Sequence, residues 1–219
     1  MYVPSHYAEP SGTWMADLVR DNPLALAVTN GTDEAGPFAT HLPVIPDPAT
    51  GETLGDLAPG TVLLGHMNRA NPHWKSLRTG DLILLAFTGP HAYVSPTVYE
   101  MTPAAPTWNF TSVHVRGTVQ TLEAGEETLA VVRATARMFE ARFGAGWDQT
   151  ESVGYFREIV AGVGAFRVTV TAAEGMFKLS QEQPADVRDR VRRSFGAQEC
   201  TRRRAVADLM ARLPEDQKG

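Results

Sequence analysis

The stretch Thr111–Leu122 constrains the fold more than any other. Val113, Val115, Gly117 and Val119 alternate with Ser112, His114, Arg116 and Thr118. A period of two marks a strand with one face buried and the other open. Shorter runs at Leu24–Asn30, Phe38–Ile45, Thr61–Gly65 and Asp81–Thr88 read as further strands. Pro43 and Pro46 predict that the second of these lies at a sheet edge. Phe166, Val168 and Val170 alternate again, and Gly175 is expected to turn the chain into a last strand, Met176–Leu179. Helical periodicity appears at five places. Ser11 or Thr13 caps a short helix through Asn22; Glu126–Phe143 carries Leu129, Val132, Ala136 and Phe139 on one face; Ser152–Ala161 is shorter. Pro184 suits the first residue of a fourth helix, with Val187, Val191 and Phe195 on one side, and the fifth runs from Gln198 to Leu213. Segments 48–60 and 89–106 read as loops. Short strands with inserted helices predict an α+β fold built on a closed or partly closed antiparallel barrel. The barrel domain is placed at residues 1–183, and residues 184–219 form a helical arm packed on the barrel or on a partner subunit.

Composition removes several classes. Of 219 residues, 43% are hydrophobic and 21% charged, which excludes a disordered or collagen-like chain. The single cysteine, Cys200, forbids an intrachain disulfide, a Cys-based metal cluster and covalent haem attachment through Cys-x-x-Cys-His. A reducing, cytoplasmic setting follows as the expectation. The longest apolar run, Leu82–Phe87, falls far short of the roughly 18 residues that span a bilayer, and MYVPSHYAEP has neither part of a signal peptide. A net charge of −5 argues against generic nucleic-acid binding. The seven arginines between Arg188 and Arg204 argue the other way, but no recognition-helix pattern accompanies them. Packing on a partner subunit is the preferred reading of that stretch.

Four segments are too polar and aromatic for packing alone to explain: GHMNRANPHW at 65–74, GPHAYVSP at 89–96, PTWNF at 106–110 followed by His114, and KLSQ at 178–181. Loops at the mouth of a barrel are where ligand contacts concentrate. With MYVPSHY at the start and THLPV at 40–44, these motifs run in order over residues 1–183. In that order they resemble the FMN-binding split-barrel family known as negative transcriptional regulators. Asn68, His73, Glu182 and Gln183 bring the chain nearer to one branch, the haem-dependent piperazate synthases of actinobacterial biosynthesis.

The resemblance implies a split β-barrel homodimer with its cofactor near the subunit interface. It also implies a haem enzyme that closes N5-hydroxy-L-ornithine to L-piperazic acid with loss of water. The cofactor the resemblance implies is haem b, with FMN as the alternative. His66 is the expected axial ligand. His73 is a second candidate ligand, with a distal-pocket, proton-carrying or structural role equally open. Arg69, Arg116 and Lys178 are expected to hold haem propionates or, in the FMN reading, the phosphate. Trp108, with Trp74, Tyr93 and Phe110, offers flat apolar walls to either ring system. Tyr93 and His73 are the candidate catalytic proton carriers. His91 reads as an exposed turn residue, His114 as lining a cavity or meeting solvent, and His6 and His41 as structural. The competing reading is an FMN-bound regulator without ring-forming activity.

Overall fold

The computed structural model describes residues 1–31, 36–50 and 54–214. Part of the loop expected at 48–60 and the last five residues of the expected arm lie outside them. The described residues form six strands: β1 Leu24–Thr29, β2 Phe38–Pro46, β3 Val62–Asn68, β4 Leu82–Val94, β5 Thr107–Thr121 and β6 Val163–Lys178. They close a barrel in the order β1-β2-β3-β6-β5-β4. The helices are α1 Trp14–Asp21, α2 Pro72–Ser76, α3 Glu126–Phe143, α4 Val153–Ile159, α5 Ala185–Gly196 and α6 Thr201–Ala211. The α+β barrel expected from the alternating strands is the fold observed. None of the described helices is long and apolar enough to cross a membrane.

The chain forms two compact units. One comprises Met1–Asp21, Thr88–Val113 and Glu174–Gly219; the other comprises Asn22–Phe87 and His114–Ala173. The second holds the pairings of β1, β2 and β3. Its β1 pairs antiparallel with β2 and with β4, and β3 pairs antiparallel with β2 and with β6. Leu63, Leu85, Phe87, Val115 and Phe166 are fully buried at its centre. Outside the sheet, Val131 and Ala134 of α3 pack on Ile45, Leu64, Leu122 and Ala165, flanked by Met138 and Phe139. This is why Leu63 and Leu64, on opposite faces of β3, are both buried.

In the first unit, Trp14 of α1 meets Phe177 edge-on at 5.4 Å. Val187, Val191 and Phe195 of α5 are buried within the chain, as are Val206, Ala207 and Met210 of α6.

Four local expectations are corrected. β2 is not an edge, because β1 and β3 flank it on both sides. β3 does not end at Gly65 but continues through Asn68, so His66 is a strand residue and the turn begins at Asn68. Gly89, Pro90 and His91 lie inside β4, not in a turn. Its inward positions change parity there, from Ile83, Leu85, Phe87 and Gly89 to Ala92 and Val94, a phase slip that turns His91 and Tyr93 outward. Likewise, Gly175 does not break the chain. β6 runs unbroken over Val163–Lys178, with its buried set shifting from Phe166, Val168 and Val170 to Gly175 and Phe177. A period-two pattern that slips by one residue looks like two strands in sequence, whereas the backbone needs only a local change of twist.

Candidate functional site

The expected site residues fall into two groups, one in each unit. In the barrel unit, β3 carries His66, opposite Ala165 of β6. Pairing with β2 stops one residue earlier, at Val44↔Gly65. Pro43 supplies the cause. The Val44 amide donates to the Pro23 carbonyl at 2.9 Å, on the β1 side. Alternation therefore turns the nitrogen of residue 43 toward β3, and proline has no N–H to donate. His66 thus stands where the sheet opens, held by β6 alone. Its ring is half-buried on the α3-facing side of β3, the side of Leu64. The Nδ1 atom is buried and has no hydrogen-bond partner among the described residues. Burial lowers the pKa of the ring below its ordinary value, so the imidazole is neutral at pH 7 and able to ligate iron.

His73 is built differently. The side chain of Asn71 caps α2 by accepting from the His73 amide at 3.0 Å, with Pro72 at the first helical position. The ring is 1% exposed. Its Nε2 bonds the Thr29 hydroxyl at 2.9 Å and its Nδ1 the Thr40 hydroxyl at 3.0 Å. Phe38 stacks on it at 5.5 Å and 16°. Both nitrogens are spent inside the fold, and burial holds the ring neutral. Arg69 lies over the Trp74 ring at 5.6 Å, and that indole packs so closely on Gly164 that a Cβ there would meet it at 2.2 Å. Arg116 is exposed on β5 and His114 is half-buried on the same face.

The other unit holds Tyr93, Trp108 and Lys178. Trp108 is 51% exposed, with Tyr93 edge-on at 6.0 Å and His91 tilted against it at 5.6 Å. Lys178 donates to the Thr107 hydroxyl at 2.7 Å, and its ammonium lies 5.5 Å from the Tyr7 ring centre. Asn109 and Ser180, both fully buried, bond each other. Sequence reasoning missed the phenols around Glu182. Burial and a hydrogen bond to the Glu182 carboxylate raise the pKa of Tyr7, and burial followed by the charges of Glu182 and Tyr93 raises that of Tyr99. The Tyr99 hydroxyl is buried without a partner among the described residues. Tyr7 was visible in the MYVPSHY motif and Glu182 beside KLSQ, but nothing in the sequence linked Tyr99 to either.

Together these features define a split-barrel protein with a neutral, partly uncommitted imidazole at an opening in its sheet. The chain belongs to the family whose model is described as "Putative FMN-binding domain", which matches residues 1–172. It is 28% identical over 184 residues to the Bacillus subtilis protein named Protease synthase and sporulation protein PAI 2, covering 84% of this chain and 83% of that one. An uncharacterized protein of Aspergillus fumigatus is 30% identical over 237 residues, covering 89% and 90%. Among solved structures, the FAD and haem binding protein of Mycobacterium smegmatis superposes with a TM-score of 0.54 at 16% identity, covering 84% of this chain and 78% of that one. The flavocytochrome Anf3 of Azotobacter vinelandii gives 0.51 at 12%, covering 80% and 72%. At such identities the likeness establishes the fold alone.

Proposed function

We propose that this protein is a haem b enzyme that converts N5-hydroxy-L-ornithine to L-piperazic acid, with His66 as the axial ligand. The observation that carries the reading is the contrast between the two histidines of the GHMNRANPHW motif. His73 has both nitrogens engaged, whereas His66 is neutral, has a nitrogen without a partner and stands on a strand at the seam of the barrel. A ligand on a regular strand keeps tighter geometry than one on a loop.

The reaction balances without an external oxidant. The N5–O bond breaks, a bond forms between N5 and the α-nitrogen, and the departing hydroxyl leaves as water with one hydrogen from the α-amine. Bound haem supplies an iron centre that renders N5 electrophilic. The chain's own residues bind the cofactor, orient the substrate and move protons. Arg69, Arg116 and Lys178 supply cations for propionates or for the substrate carboxylate. Trp108 supplies a flat exposed wall. Tyr93, outward on β4 beside that indole, carries protons between solvent and the reacting amine. His73 acts as a positioning residue that braces α2 against β1 and β2. Folding a flexible substrate until its two nitrogens meet is itself a large part of such a rate enhancement.

A second copy completes the assembly. Leu24 and Leu82 are 60% and 71% exposed. On the same outer face of the β1–β4 pair, Leu26 lies opposite Ala86 and Val28 opposite Leu84, all half-buried. A surface of this kind marks an interface, and a twofold dimer buries it against itself.

The alternative is an FMN-bound regulator without ring-forming activity; the family's description supports the FMN part of that reading. The absorption spectrum separates the two. Protein expressed with ample haem is expected to show an intense Soret band, and acid–acetone is expected to extract the pigment. His66→Ala should lower haem occupancy and shift that band, with added imidazole restoring part of both. Stoichiometric FMN without haem would replace this reading with the regulator.

A further inference from the structure

A cleft of about 470 Å³ opens between α3 and the segment that follows it, within the second unit and lined by none of the candidate site residues named above. One wall is a single helical face: Arg133, Ala136, Arg137, Glu140 and Ala141, spaced three and four apart. The other wall is the loop Gly146–Thr150.

The loop is built to hold its shape. Gly144 runs so close to the helix that a Cβ there would meet the Glu140 carboxylate, and Gly146 takes a φ of +90°, open to glycine. The two carboxylates of the cleft are occupied by the loop itself. Glu140 accepts from the Trp147 amide at 3.3 Å, and Asp148 accepts from the Thr150 amide at 2.9 Å and its hydroxyl at 2.7 Å. Gln149, 7% exposed, donates to the Arg133 carbonyl and accepts from the Arg133 Nε, both at 3.3 Å. That clamp holds the Arg133 guanidinium through Nε, and its terminal nitrogens have no hydrogen bond among the described residues. Arg137, one turn further on, has no ion partner among the described residues. Across from the helix face, Trp147 keeps 49% of its surface open while packing against Phe156 at 6.2 Å.

We propose that this cleft binds a small planar anion, a ring bearing one carboxylate or phosphate. The arginines at 133 and 137 would grip the acid and the Trp147 indole would cover the ring. Guanidinium forks match carboxylate and phosphate oxygens bidentately, and an exposed indole offers a stacking face. The volume falls in the range of small-molecule sites.

The test uses the full-length protein, calorimetric titration and four probes. Anthranilate is a ring with a carboxylate, adenosine monophosphate a ring with a phosphate, inorganic phosphate an anion without a ring and adenosine a ring without an anion. At least one of the first two is expected to saturate below about 1 mM, with the last two binding at least about tenfold more weakly. Arg137→Ala and Trp147→Ala should each weaken that binding by about tenfold or more, and Trp147→Phe should recover most of the stacking. Arg137 is exposed and has no ion partner among the described residues, so its replacement leaves the fold intact, and unchanged thermal melting would verify this. Failure of both ring-bearing anions to saturate below that concentration would overturn the proposal. So would binding that is indifferent to Arg137→Ala, or inorganic phosphate binding as tightly as either ring-bearing anion.

Discussion

At the scale of the residue, two histidines seven positions apart in one motif meet opposite fates. The sequence separated them only by resemblance, because imidazole spacing says nothing about which ring finds hydroxyl partners. Thr29 and Thr40, which hold His73, lie far from it in the chain. Their effect is testable through pH. Both His66 and His73 have folded-state pKa values below the ordinary 6.5 because burial penalises the charged ring. The unfolded chain therefore takes up protons first as pH falls. The stabilisation is fully present above about pH 6.5 and is lost as pH drops through the depressed folded values. Urea midpoints are expected to fall between pH 7.5 and 5, and the fall should shrink in His73→Gln. At neutral pH, His73→Ala should cost roughly 2–4 kcal/mol, since it strands two threonine hydroxyls and removes a fully packed ring. A pH-independent midpoint would show that neither ring is held neutral by the fold.

At the scale of the element, the strongly periodic segments were legible and their ends were not. Glu126–Phe143 is helical over the expected bounds, and the alternation that starts at Thr111 is the C-terminal part of β5, which ends at Thr121. β4 and β6 were read short because each changes parity midway, and a one-residue slip cancels the signal that identifies a strand. Pro43 shows the other limit. Proline signals an edge when read alone, yet here it ends the pairing of β2 with β3 and leaves β2 inside the barrel. Gly117 was legible as an inward position of the alternation, but its necessity was not. A Cβ there would come within 2.6 Å of the Thr169 carbonyl oxygen and 2.5 Å of Val168 Cγ1. Backbone cannot swing aside as a side chain can. Gly117→Ala is expected to destabilise the protein by roughly 1–3 kcal/mol in urea unfolding. Gly12→Ala, with nothing within 4 Å, should change stability by less than about 0.5 kcal/mol. Equal effects of the two would contradict the close approach of β5 and β6.

At the scale of the whole molecule, the barrel followed from counting alternating strands, and the family followed from motifs spread along the chain. The outer apolar face of β1 and β4 did not. In the sequence Leu24 and Leu82 only open two apolar runs, and nothing there shows that both side chains are left exposed. The proposed dimer uses this face, and Leu82→Glu should yield a folded monomer by sedimentation velocity while the circular dichroism spectrum stays unchanged. A wild-type chain that sediments as a monomer at micromolar concentration would remove the dimer from the account.

The central claim is that this fold, with haem held on His66, closes a ring by joining two nitrogens. The most direct measurement is incubation of the purified, haem-loaded protein with N5-hydroxy-L-ornithine, followed by mass spectrometry of the products. The expected product is lighter than the substrate by one water and co-elutes with authentic L-piperazic acid; it forms without added oxidant or reductant and is absent with His66→Ala. Substrate recovered unchanged from a preparation with full haem occupancy would contradict it.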